Sequence, residues 1–95
     1  MARHANVTVP AATITQLTAD DATIVTVQNL SVGDEVLLFA TADATAPSDF
    51  TEGFRLLPGM MIAGLYMSEL FPGIAAVRLW AYAPYRGVTV RISHD

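Results

Sequence analysis

The chain has 95 residues, a formal charge of −4 at neutral pH, no cysteine, and five arginines but no lysine. That length makes one domain with a single modest core, the missing cysteines exclude disulfides and thiolate metal sites, and the lack of a basic stripe argues against nucleic acid or an anionic membrane surface as partner. Apolar residues make up 53% and charged residues 15%, against ~25% charged in ordinary soluble domains.

Two explanations fit that balance. Either the surface is neutral and rich in Ala, Thr and Ser, or another protein covers part of it. Large apolar residues in expected loops (Phe50, Phe54, Met60, Met61, Leu70, Phe71 and Tyr85) favour the second.

In chain order, residues 1–6 are polar and predict a loose arm. Val7 and Val9 alternate with Thr8 until Pro10 ends the run, as in an edge strand or an arm that pairs with a neighbour. Residues 12–17 are rich in β-branched side chains, and 19–21 read as a turn. Residues 22–30 predict a strand with Val25 and Val27 on one face and Ile24, Thr26 and Gln28 on the other. Asn29, Ser31, Gly33 and Asp34 supply turn chemistry. Residues 36–39 show no polar alternation, which predicts a strand covered on both faces.

A small, polar, acidic loop follows over 41–53, then a short returning strand over 54–57 and a Pro58-Gly59 turn. Residues 60–66 resume as a strand, with Gly64 a candidate bulge. Residues 67–71 predict one helical turn, ended by Pro72-Gly73. Residues 75–83 form a long strand with Val77, Leu79 and Ala81 on one face and Arg78, Trp80 and Tyr82 on the other. Residues 84–87 predict a hairpin connection. In the last strand Val88, Val90 and Ile92 point inward and Thr89, Arg91 and Ser93 outward. The expected fold class is all-β: a small antiparallel β-sandwich or barrel of seven to eight short strands, one domain over 1–95, with an extended N-terminal arm at 1–10. No apolar run approaches the ~20 residues of a membrane span, and residues 1–10 lack the hydrophobic core of a signal peptide.

Catalytic equipment is sparse. His4 and His94 lie near the two ends and read as solvated residues on mobile termini; a shared site would need a positioned partner. Ser31, Ser48, Ser68 and Ser93 sit in no nucleophile elbow. Asp43, Asp49 and Glu52 share the long loop; their spacing matches no EF-hand, and solvated loop acids are the better reading than a Ca²⁺ site. The glycines fall singly, so no phosphate-cradling loop is present. These observations predict a non-enzyme without cofactor or metal. The densest constellation is Arg78, Trp80 and Tyr82, extended by Tyr85 and Arg86. Aromatics and Arg are enriched at interface hot spots, and they also form stacking platforms for sugars. Against both stands a plain structural role, with Trp80 capping the core and Arg78 lying over it.

The order VQNLS, then VLLFATADATAPSDFTEGFRLLPGM, then LW resembles small β-sandwich proteins encoded among the structural genes of tailed bacteriophages and prophages. Those proteins carry a strand with Val-x-Asn-x-Ser, a hydrophobic strand, an Ala-Pro-Ser loop, a Leu-x-Pro-Gly turn and a strand with Leu-Trp. Residues 27–31, 46–48, 56–59 and 79–80 occupy these positions. The resemblance covers residues 22–92 and leaves the arm outside. It implies a virion component, above all a decoration or cement protein on the capsid surface, made in the bacterial host cytoplasm. The expected partners are the major capsid protein and further copies of the chain, a trimer being favoured. The residues expected at these contacts are Arg3, Val7 and Val9 in the arm, Phe50 and Phe54 in the loop, and Trp80, Tyr82, Tyr85 and Arg86. A tail, neck or fibre-base module, or a carbohydrate-binding module using the Trp80 face, are the alternatives.

Overall fold

The computed structural model describes residues 3–18, 21–43, 45–47, 53–72 and 76–94. Eight strands and one helical turn follow in order: β1 (Arg3–Val9), β2 (Ile14–Gln16), β3 (Ile24–Asn29), β4 (Val36–Thr41), β5 (Phe54–Leu56), β6 (Met61–Tyr66), α1 (Met67–Leu70), β7 (Arg78–Tyr82) and β8 (Val88–His94). They form two four-stranded antiparallel sheets, ordered β1-β8-β3-β6 and β2-β7-β4-β5. The fold is a small all-β sandwich of eight strands.

Alternation of side chains decides what the sandwich buries. In β3 the inward positions are Val25, Val27 and Asn29, and in β8 they are Val88, Val90, Ile92 and His94. Val36 and Leu38 of β4, Leu56 of β5, and Leu79 and Ala81 of β7 meet them from the second sheet, all fully buried. Each buried Val, Leu or Ile side chain contributes about 1.5–3 kcal/mol by leaving water.

The N-terminal stretch is not a loose arm. β1 is an edge strand laid along the whole of β8, with Arg3 opposite His94 and Val9 opposite Val88. Val9 is fully buried, so its burial and the ladder hydrogen bonds hold the strand on the sheet. The same pairing places both histidines in strands rather than on mobile ends. His4 is exposed on β1 and His94 is buried on β8.

Residues 84–87 do not close a hairpin either, because β7 and β8 belong to different sheets. The segment crosses from one sheet to the other beside a second crossing, 10–13, which joins β1 to β2. Ala11 and Ala83 form a parallel bridge there, and the Ala12 N–H donates to the Ala83 carbonyl at 2.7 Å. Ala12 takes a left-handed conformation, φ 55°, to make that turn. Sequence patterning reads strands and turns locally, and it cannot tell a tight turn within a sheet from a step between sheets.

One buried polar side chain ties the other connections together. Asn29 occupies an inward position that valines hold elsewhere on β3. Its Nδ2 donates to the carbonyls of Asp34 (2.8 Å) and Leu56 (3.0 Å), and its Oδ1 accepts from the Ser31 N–H (2.8 Å). The Ser31 hydroxyl accepts in turn from the Asp34 N–H at 2.9 Å. The Gly59 N–H donates to the Asn29 carbonyl and the Asn29 N–H to the Met60 carbonyl, both at 3.0 Å. Gly59 at φ 76° supplies the positive φ that the Pro58-Gly59 turn requires.

Candidate protein-interaction surface

The β5–β6 turn carries the chain from the edge of one sheet to the edge of the other, so both edges lie on one side of the sandwich. Natural sheets blunt such edges with charge, proline, bulges or a covering segment. β1 carries Arg3 and His4, β2 carries Thr15 and Gln16, and β5 carries Arg55, which donates from Nε to the Glu35 carboxylate. That hydrogen bond, and the Glu35 charge behind it, raise the Arg55 pKa further above its ordinary value. β6 carries neither charge nor proline, and its one irregularity is a bulge at its centre. Its sequence is Met-Ile-Ala-Gly-Leu-Tyr, and no charged residue occurs between Arg55 and Glu69.

The bulge expected at Gly64 is present. Val25 pairs with Leu65 and Val27 with Ile62, so Ala63 and Gly64 together oppose Thr26. Gly64 adopts φ 61°, and its N–H donates to the Thr26 hydroxyl at 2.9 Å. Ile62 and Leu65 therefore both face inward, while Met61 and Tyr66 both face out, exposed by 54% and 47%. Around them Phe54, Leu57 and Met60 are also exposed. Phe54 meets Phe71 with ring centroids 5.1 Å apart and planes at 47°. Apolar surface thus runs the length of this side, from Leu57, Met60 and Met61 to Phe54, Phe71 and Tyr66.

The other expected contact residues are not gathered in one place. Trp80 lies on the outer face of the second sheet, opposite Phe39, yet it is only 7% exposed. On that face Gly53 lies directly against the Phe39 ring. The Trp80 Nε1–H donates to the Thr41 hydroxyl (2.8 Å), and that hydroxyl donates to the Asp43 carbonyl (2.7 Å). The indole is a covered structural element, with no open face to stack on a sugar. Tyr82 is half-buried in a row with Ile14 and Leu37, whereas Tyr85 (74% exposed) and Arg86 stand free on the 83–87 crossing. Arg78 donates from Nε to the Asp21 carboxylate at 2.8 Å. Val9 is in the core and Val7 packs against it. Phe54 is on the apolar edge; Phe50 lies outside the described residues, as does the side chain of Arg3.

No metal-binding cluster occurs among the described residues. Asp43 accepts from the Thr45 N–H at 2.8 Å as a local turn, and Asp49 and Glu52 lie outside the described residues. Among the described residues no helix is long and apolar enough to cross a membrane. Sequence reading marked Met60 and Met61 as oddly placed apolar residues. It missed their convergence with Leu57 and Tyr66, because that depends on which strands end up at sheet edges. Comparison of the chain with family models, with curated proteins and with solved structures finds no match.

Proposed function

We propose that this chain is a non-enzymatic structural protein of a bacteriophage particle, a decoration protein that binds the capsid exterior and stabilises the shell by protein–protein contacts. The observation that carries the interaction part is the apolar side formed by the uncharged β6 with Phe54, Leu57 and Met60. A patch of this kind on a small domain marks a binding surface. The virion part rests on the ordered motifs of residues 22–92, whose Asn29 and Leu56–Gly59 segments the fold uses as one connected unit. A decoration protein needs a compact body and contact patches, and many weak contacts on a symmetric lattice add by avidity. Tyr85, Arg86 and the Ile14, Tyr82 and Leu37 row are the surface offered to the major capsid protein.

Empty capsid shells mixed with the purified chain test the reading. The chain is expected to sediment with the shells at hundreds of copies each and to raise their resistance to heat or low salt. Absence from the pelleted shells together with unchanged resistance overturns it, and a handful of copies per particle points to a tail or neck module.

A further inference from the structure

β6 has the same pattern read in either direction. From its centre at Ala63–Gly64 outward, each half has a small exposed residue, a half-buried aliphatic (Ile62 or Leu65) and a large exposed side chain (Met61 or Tyr66). The bulge makes this possible. A regular six-residue strand puts its first and last residues on opposite faces, whereas the extra residue at Gly64 returns Tyr66 to the face of Met61.

We propose that β6 is a self-association edge, on which β6 of a second copy pairs antiparallel about a two-fold axis between Ala63 and Gly64. An isologous interface requires one surface that is complementary to itself. In the pair, Met61 of each copy lies beside Tyr66 of the other, and Ile62 beside Leu65. The centre is open: a Cβ built on Gly64 meets nothing within 4 Å, so two backbones can approach there. The first sheet then runs continuously through eight strands, and the unpaired backbone groups of both β6 edges are satisfied.

The self-matching pattern and the area favour a second copy over a foreign strand. Each copy carries a formal charge of −4, and β6, which has no charged residue, is a strand where two copies meet without like charges facing each other in the seam. Phe54, Leu57, Met60, Met61 and Tyr66 are each about half exposed, which at ~150–250 Å² for a large side chain gives roughly 450 Å² per copy. Doubling by symmetry and adding the backbone of 61–66 brings the pair to the ~1,000 Å² of a specific interface. The inference deepens the reading of the chain as a protein-contact module and replaces the expected trimer with a two-fold pair.

The test is sedimentation equilibrium of the full chain at micromolar concentrations. The pair predicts twice the 10.2 kDa chain mass. Met61→Lys and Tyr66→Lys each place two like charges in the seam, so each is expected to weaken the dimer at least tenfold. Both positions are exposed, so the variant monomers stay folded, with midpoints matching wild type at dilutions where the wild type is itself monomeric. A monomeric or trimeric wild type overturns the proposal, as do folded variants that keep the wild-type mass. A dimer that ignores capsid shells leaves the pairing standing and overturns the decoration reading. A monomer that binds shells overturns only the pairing.

Discussion

The Asn29 side chain donates a hydrogen bond to the main-chain carbonyl of Leu56, 27 residues away and in the other sheet, at 3.0 Å. Both residues are fully buried. This contact joins the end of β3 to β5, and with the bonds to Asp34 and Ser31 it fixes three connections at once. Asn29→Ala removes three side-chain hydrogen bonds and leaves two carbonyls without that donor. At about 1 kcal/mol per bond, plus desolvation of the orphaned groups, the loss is about 2–4 kcal/mol. Urea unfolding reads it as a lower midpoint with an unchanged slope.

Gly53 and Gly33 give a paired test of the loop packing. A Cβ on Gly53 comes within 2.7 Å of the Phe39 ring, while one on Gly33 meets nothing within 4 Å. Gly53→Ala is expected to destabilise by about 1–3 kcal/mol through overpacking, and Gly33→Ala to stay within about 0.5 kcal/mol of wild type. Thermal melts of the two variants check the difference. Equal melting temperatures contradict the packing of Gly53 on Phe39.

Trp80 and Thr41 form a coupled pair. Trp80→Ala is expected to cost about 3–5 kcal/mol as a buried large-to-small change. Trp80→Phe and Thr41→Val each remove one end of the Nε1–H hydrogen bond. A double-mutant cycle should return a coupling of about 1 kcal/mol. A coupling of zero contradicts the geometry. Loss of ligand or partner binding in Trp80→Ala is therefore interpretable only beside its unfolding curve.

β1 gives the clearest separation between arm and strand. Val9→Ala should lower stability by about 2 kcal/mol, from lost burial and the cavity left behind. Starting the chain at residue 10 should do more, because it strips the ladder from β8 and uncovers Val90 and Ile92. A chain lacking residues 1–9 that melts like the full chain contradicts the assignment of β1 to the sandwich.

These cases show what the sequence discloses. Strict alternation in β8 and β3 made their inward faces legible, and the unbroken apolar run at 36–39 pointed to cover on both faces of β4, which the outer face has at Phe39 but not fully at Leu37. Gly64 was legible as a bulge because glycine inside a strand pattern has few other uses. Residues 7–9 read correctly as an edge strand, but the strand's first half, residues 3–6, was misread as a loose arm because it has no large apolar side chain, although an edge strand with one exposed face needs few apolar positions. The crossing at 84–87 was misread because turn residues carry no information about which sheet comes next. Trp80 was placed on the correct face, but whether that face is open depends on what packs over it, as Gly53 does on Phe39, and that is a tertiary fact. The β5–β6 edge was legible only as scattered apolar residues.

The measurement that bears most directly on the account is amide hydrogen exchange at the four edge strands, comparing dilute chain with chain concentrated enough to associate. Pairing through β6 predicts that protection rises over residues 61–66, with β1, β2 and β5 little changed. Protection that rises instead along β1 or β2, or that is independent of concentration at 61–66, contradicts it.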